Sequence, residues 1–167
     1  MKPGPDLVFS AGKLIERHEG RRTHVYRDTA GHPTIGIGFN LDRADAALAL
    51  FRVGAYHGEL VSGRAELHED QVDALFARDL ADSIEDARDL CVTFDELHIG
   101  ARLALVDMAY NLGRTGLAEF RSMLSALSHG AWALAAAEAL DSDWARQVGQ
   151  RALDDAALIR GEELPGV

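Results

Sequence analysis

The stretch from Leu14 to Leu41 changes its hydrophobic period from helical to β-type and places glycine at the points of change, which limits what this chain can fold into. Ser10 is a helix N-cap residue, Leu14, Ile15 and His18 follow at helical spacing, and Gly20 suits a C-terminal stop. A helix is therefore expected from about Ser10 to Glu19. Thr23, Val25 and Tyr26 read as a β run, Asp28-Thr29-Ala30-Gly31 as a turn, and Thr34-Ile35-Gly36-Ile37-Gly38 as the returning strand. In that strand Ile35 and Ile37 share one face. Thr34, Gly36 and Gly38 share the other, which is bare except for one hydroxyl and suits close approach by a ligand.

After Arg43 the β signals fade and alanine and leucine dominate. Ala44 to Val53 is expected to be helical and Gly54 to Arg64, with three glycines, to be a loop. Val72, Leu75, Phe76, Leu80 and Ile84 recur with helical period over Glu69 to Leu90. Thr93 to Leu112 reads as a second apolar helix, with Ile99, Leu103, Val106 and Tyr110 on one face and Gly113 as its stop. Gly116 to Leu127, Ala131 to Leu140 and Ser142 to Ile159 read as three shorter helices, and Gly161 to Val167 as a frayed tail. The fold class is thus α+β and mostly helical, with a small β-hairpin lobe and a helical C-terminal lobe joined by a long helix. One domain is expected over residues 1–167, its lobes at roughly 10–68 and 91–160 and the linking helix at about 69–90.

With 167 residues and 47% hydrophobic content the chain can bury a core of its own, and it is expected to be a monomer. A formal charge of −10 argues against nucleic acid as a partner and against anionic membranes, because long-range Coulomb terms repel both. Residues 1–10 hold no apolar run of signal-peptide length and no segment approaches a membrane span, so no membrane insertion is expected and a cytosolic location is. The lone Cys91, between Leu90 and Val92, reads as a buried thiol. The seven histidines are scattered and no cluster has metal-ligand spacing, so neither a metal nor another cofactor is expected.

Glu19 and Asp28 are the chemically suggestive pair. An acid in the last turn opposes the helix dipole, so solubility is a poor reason for Glu19. Hydrolysing a glycoside needs one carboxylic acid to protonate the leaving oxygen and a second group to activate water or form a covalent intermediate. Among 27 acidic residues such a pair arises easily by chance, and its context is what sharpens it.

Glu19-Gly20, Tyr26-Arg27-Asp28-Thr29 and Thr34-Ile35-Gly36-Ile37-Gly38 together resemble the phage T4-type lysozymes, a muramidase family that includes many phage endolysins. The resemblance implies a lysozyme-like fold, with Glu19 as general acid, Asp28 as second carboxylate and Thr34 beside the attacking water. It extends to Arg102 to Leu112 with Gly113, Thr115, Gly116 and Phe120, and to Trp144 and Arg151. It implies that Arg151 lies against Glu19 and supports the acid. Tyr110, Met123 and Glu138 fall in cleft-lining positions, with Asn111 beside them as a hydrogen-bonding candidate. Core packing is an equal reading for Tyr110 and Met123, and Trp132 and Trp144 read as core anchors. Arg43 to Arg64 finds no counterpart. Phe39 stands where the family's well-known members carry histidine, exchanging an ion pair for hydrophobic stabilisation, and the following Asn40 is placed to alter sugar contacts.

The implied reaction is endo-acting hydrolysis, with inversion, of the β-1,4 bond between N-acetylmuramic acid and N-acetylglucosamine in peptidoglycan. The setting is that of a phage endolysin held in the host cytoplasm before release to the cell wall, or of a virion-associated enzyme. A lytic transglycosylase is disfavoured by the presence of Asp28 and Thr34. A catalytically silent lysozyme-like virion or wall-binding module is the alternative from another class.

Overall fold

The computed structural model describes residues 5–167, with side chains from Leu7 onward. The chain divides into two compact units, one formed by Ile15–Asp79 and the other by Leu80–Val167 with the chain before Ile15. Helix α1 (Pro5–Glu19) ends inside the first unit, and helix α4 (Glu69–Leu90) starts in it and ends in the second. Helix α1 is already formed at Pro5, ahead of the expected start at Ser10. Leu7, Ala11, Leu14 and Ile15 form one buried stripe along it.

In the Ile15–Asp79 unit, strands β1 (Arg22–Arg27), β2 (Pro33–Gly36) and β3 (Phe39–Asn40) form an antiparallel sheet in the order β1-β2-β3. The single returning strand expected over Thr34 to Gly38 is instead a short strand, a turn at Ile37-Gly38 and a third strand. Gly36 and Gly38 both adopt positive φ, 66° and 67°, a region open to glycine at little cost, and this reverses the chain. Ile35 and Ile37 are both buried, as expected, but a turn rather than strand alternation puts Ile37 inside.

Helix α2 (Ala46–Arg52) lies within the expected Ala44 to Val53. The expected loop at Gly54 to Arg64 contains a short helix, α3 (His57–Val61), around the buried Leu60, and His57 holds it to the sheet end through a 2.9 Å hydrogen bond to the Leu41 carbonyl. Phe39 is buried and the Arg43 guanidinium lies over its ring at 4.7 Å. Arg43 also bonds Asp45 and Asp79, and Asp45 takes a further bond from Arg78. Arg43 first, and then Arg78, hold the Asp45 carboxyl well below the usual carboxylate range.

The second unit is helical. After a 3₁₀ turn (Phe94–Glu96), α5 (Ile99–Ala118) runs through its middle. Residues 103–109 are all buried, so the helix is enclosed on every side over that span. Ile99, which its periodicity assigns to the buried face, is 43% exposed, because it stands at the helix entrance beside the capping His98. Gly113 (φ 69°, ψ 170°) interrupts α5 where a stop was expected, but the helix resumes to Ala118. The helix expected over Gly116 to Leu127 is broken at Phe120, and α6 is Arg121–Ser128.

Helix α7 spans Trp132–Leu140. The helix expected from Ser142 to Ile159 is two, α8 (Asp143–Val148) and α9 (Gln150–Ile159), separated by Gly149 at φ 57°. Trp144 is buried, while Trp132 is half-buried with its ring edge-on to His98 at 4.7 Å. Cys91 is a buried free thiol, as expected. No helix among the described residues is long and apolar enough to cross a membrane.

Candidate active site

Strand register assembles the first part of the site. Thr34 on β2 pairs with Tyr26 on β1 and with Asn40 on β3. Directly paired residues of an antiparallel sheet project to the same face, so Tyr26, Thr34 and Asn40 form one row across the sheet. Glu19 ends α1, and Gly20 (φ 74°) stops that helix with its amide donating to the Glu16 carbonyl at 2.8 Å. Two residues on from Glu19, Arg21 binds Glu16 at 2.8 Å, Glu69 at 2.8 Å and Asp73 at 2.7 Å. This tripod pins the segment after Glu19 to both α1 and α4.

The bare glycine face is filled from within the molecule at Gly38. A β-carbon there would stand 2.8 Å from Glu19 Oε2 and 2.9 Å from its Cδ, so the absence of a side chain is what seats the Glu19 carboxyl. At Gly36, whose φ is almost the same, a β-carbon would meet only Val72 Cγ1 at 3.8 Å. This pair gives a matched test. Alanine at either position carries the same kind of left-handed strain, about 1–2 kcal/mol, but only Gly38→Ala displaces Glu19. Displacing a catalytic group by about an ångström costs roughly 10²-fold in rate. If Glu19 is the general acid that the family resemblance implies, Gly38→Ala loses cell-wall lysis per folded molecule by that order relative to Gly36→Ala, measured as turbidity loss of a cell-wall suspension. Equal rates would remove Glu19 from the mechanism.

Asp28 is half-buried and closes the β1-β2 turn. Its Oδ1 accepts from the amides of Ala30 at 2.9 Å and His32 at 2.8 Å, while the Arg27 guanidinium donates to the Gly31 carbonyl at 2.6 Å. One oxygen thus orients the side chain, and Oδ2 has no hydrogen-bond partner among the described residues. Thr34 is 3% exposed and its hydroxyl donates to the His32 carbonyl at 3.1 Å, which leaves the oxygen lone pairs as acceptors. Asn40 Oδ1 accepts from the Asp42 amide at 2.7 Å, so its NH₂ remains the group to meet a ligand. Burial, and then the Glu19 and Asp28 carboxylates, raise the pKa of the Tyr26 phenol against the opposing Arg22. Tyr26 therefore senses both acids, a role that the sequence reading passed over although it lies two residues before Asp28.

The remaining candidates belong to the other unit. Arg151, 7% exposed on α9, forms a bidentate pair with Asp107 of α5, Nε to Oδ2 at 2.7 Å and Nη2 to Oδ1 at 3.0 Å. Asn111 Oδ1 accepts from the Trp144 indole at 2.8 Å, and the Phe120 ring stands edge-on to Trp144 at 5.8 Å. Met123 is fully buried, on the core-packing side of its two readings. Met123, Glu138, Phe120 and Trp144 help line a cavity of about 320 Å³. Tyr110 is half-buried on α5, one helical turn beyond Asp107. Asp107 was not anticipated, though a lone acid within the apolar run Leu103 to Ala109 is a signal that a buried cation must face it.

The chain is 33% identical over 154 residues to the pre-baseplate central spike protein Gp5 of Enterobacteria phage T4, covering 86% of this chain but 26% of that protein. It thus spans about a quarter of that relative's length. It is 28% identical over 153 residues to probable T4-type lysozyme 2 of Dictyostelium discoideum, covering 87% of this chain and 90% of that one. It is 26% identical over 92 residues to the peptidoglycan hydrolase gp36 of Enterobacteria phage SP6, covering 55% of this chain and 9% of that protein. The family model for phage lysozyme matches residues 16–160, a span that takes in Glu19, Asp28, Thr34 and Arg151, and the chain belongs to the phage lysozyme family.

Proposed function

We propose that the protein is an endo-acting muramidase that hydrolyses the β-1,4 bond between N-acetylmuramic acid and N-acetylglucosamine in bacterial peptidoglycan. The observation that carries this reading is the seating of Glu19 on Gly38, in the same unit as a half-buried Asp28 with one unused oxygen and a Thr34 hydroxyl that is free to accept. Glu19 gives its proton to the glycosidic oxygen as the bond to the anomeric carbon breaks. Water donates hydrogen bonds to Asp28 Oδ2 and Thr34 Oγ1, directs a lone pair at the anomeric carbon, and passes its proton to Asp28 as the new bond forms. The resemblance to the T4-type lysozymes implies inversion of configuration, with Asp28 acting as base and not as nucleophile. This requires the two carboxyls to stand roughly 6.5–9.5 Å apart, rather than the roughly 5–5.5 Å of a retaining pair. By the family resemblance, Arg151 supports the acid and Asn40, Tyr110, Asn111 and Glu138 shape the saccharide and peptide contacts, while the fully buried Met123 packs in the core.

The biological role is host-cell lysis by a phage endolysin, which acts on the wall after release from the host cytoplasm. Similarity to the central spike protein Gp5 favours a second setting for the same chemistry, a lysozyme unit within a virion protein. Purified peptidoglycan digested with the protein is expected to yield hydrated reducing ends by mass spectrometry, with the α-anomer appearing first by proton NMR. Anhydro-muramyl ends would make the protein a transglycosylase, and intact glycan would make it a silent module.

A further inference from the structure

Asp155 lies on α9 with no solvent exposure, and among the described residues no N–H or O–H donor reaches either of its carboxyl oxygens, so its close neighbour Asp107 can be bonded only through a proton that one of the two carboxyls carries. The groups acting on it are Asp107 from α5 and Arg151 and Asp154 from its own helix. The charges do not balance if all are ionised. The single guanidinium is engaged by both oxygens of Asp107, and Asp154 takes the Gln150 amide at 2.8 Å, so an ionised Asp155 would be a buried anion without a cation of its own. Burial above all, then Asp107, push its carboxyl well above the ordinary carboxylate range, against the pull of Arg151. Helices α7 and α8 also pack against α9 and offer no cation to compensate. Glu138, the ionisable residue of α7, lines an open cavity, and Asp143 and Arg146 of α8 pair with each other at the surface. Helix α5 further carries Arg102 and Tyr110 within roughly a turn and a half of Asp107.

Adjacent buried carboxyls share a proton rather than ionise together. We propose that Asp155 is a positioning residue: a neutral carboxylic acid at neutral pH, it donates its proton in a hydrogen bond to Asp107 and so keeps the Asp107 carboxylate and the Arg151 guanidinium in one fixed arrangement. Its consequence for catalysis rests on the reading of Arg151 as the support of Glu19. When Asp155 loses its proton to solvent at alkaline pH, two carboxylates compete for Arg151 and the arrangement loosens.

The sign of the linkage is fixed. From about pH 4 upward the unfolded chain has released this proton while the native protein retains it, so stability falls as pH rises and levels off above the native value. Asp155→Asn keeps a donor to Asp107 without the titration, so its melting temperature is expected to exceed that of the wild type by a margin that widens with pH. The direct experiment is carboxyl carbon-13 NMR of the full-length wild type, with the Asp155 signal assigned by its loss in Asp155→Asn. That signal is expected to stay at its protonated position at pH 7. Titration together with ordinary carboxylates below about pH 5, or a melting gap that does not change with pH, overturns the proposal.

The positioning role has its own readout. Asp155→Leu, without a donor, is expected to lyse walls several-fold more slowly than Asp155→Asn at pH 6, and equal rates per folded molecule overturn that role. Failure of the wild type to cleave peptidoglycan at all would instead strike the muramidase reading and leave the titration result standing.

Discussion

Purified Glu19→Gln is expected to fold, to bind peptidoglycan and to cleave it on the order of 10²–10⁴-fold more slowly than the wild type, the range over which a positioned general acid acts. Glutamine has the same shape as glutamate, so the contact with Gly38 that seats the carboxyl is kept and the half-buried side chain gains no new clash. What is lost is the proton, since an amide cannot protonate a departing glycosidic oxygen. Asp28→Asn is the companion variant. Its amide oxygen can still accept from the Ala30 and His32 amides that close the turn, so the loop survives while the proposed base is removed. Both variants are compared with wild type by turbidity loss of cell walls and by reducing-end release, with melting temperatures as the control for folding. Clearance by Glu19→Gln at the wild-type rate would sink the general-acid assignment.

Local chemistry made much of this site legible. Gly20 after Glu19, the Asp28-Thr29-Ala30-Gly31 turn and the apolar Phe39 each have a short-range cause, and the structure carries all three. Where the reading failed, glycine or proline had more than one meaning. Pro5 already lies in a helix expected to start at Ser10, Gly36 and Gly38 turn the chain inside what alternation reads as a strand, and Gly113 interrupts a helix that then continues. Gly149, by contrast, divides a run whose apolar period continues across it. The least legible parts are the long-range ones. Asp107 and Asp155 lie 48 positions apart in the sequence, and only the packing of α5 against α9 turns two unremarkable acids into a shared buried site. Arg151 was read from family resemblance, and its bidentate hold on Asp107 has no local signature at all.

That hold gives the largest expected effect on stability. Arg151 and Asp107 are 7% and 0% exposed, and Arg151→Ala leaves the Asp107 carboxylate buried beside a second carboxyl with the cation gone. Breaking a buried pair from one side costs about 3–5 kcal/mol, which for a chain of this length lowers the melting temperature on the order of 10 °C. Arg151→Lys is expected to fall between wild type and Arg151→Ala, because an ammonium restores the charge but not the two-pronged geometry that places Nε and Nη2 on separate oxygens. The double variant Arg151→Met with Asp107→Asn removes both charges, and the amide oxygen it introduces on α5 can still accept the proton of Asp155. It is expected to regain most of the lost stability, since a buried ion pair replaced on both sides costs little. Under the proposed support of Glu19 by Arg151, its wall-lysing activity is expected to stay low. Scanning calorimetry and lysis rates on the same preparations separate the two effects. A loss below about 1 kcal/mol for Arg151→Ala, the scale of an exposed pair, would show that the Arg151–Asp107 contact is not a buried ion pair in solution. Full activity in the stable double variant would free Glu19 from any dependence on Arg151.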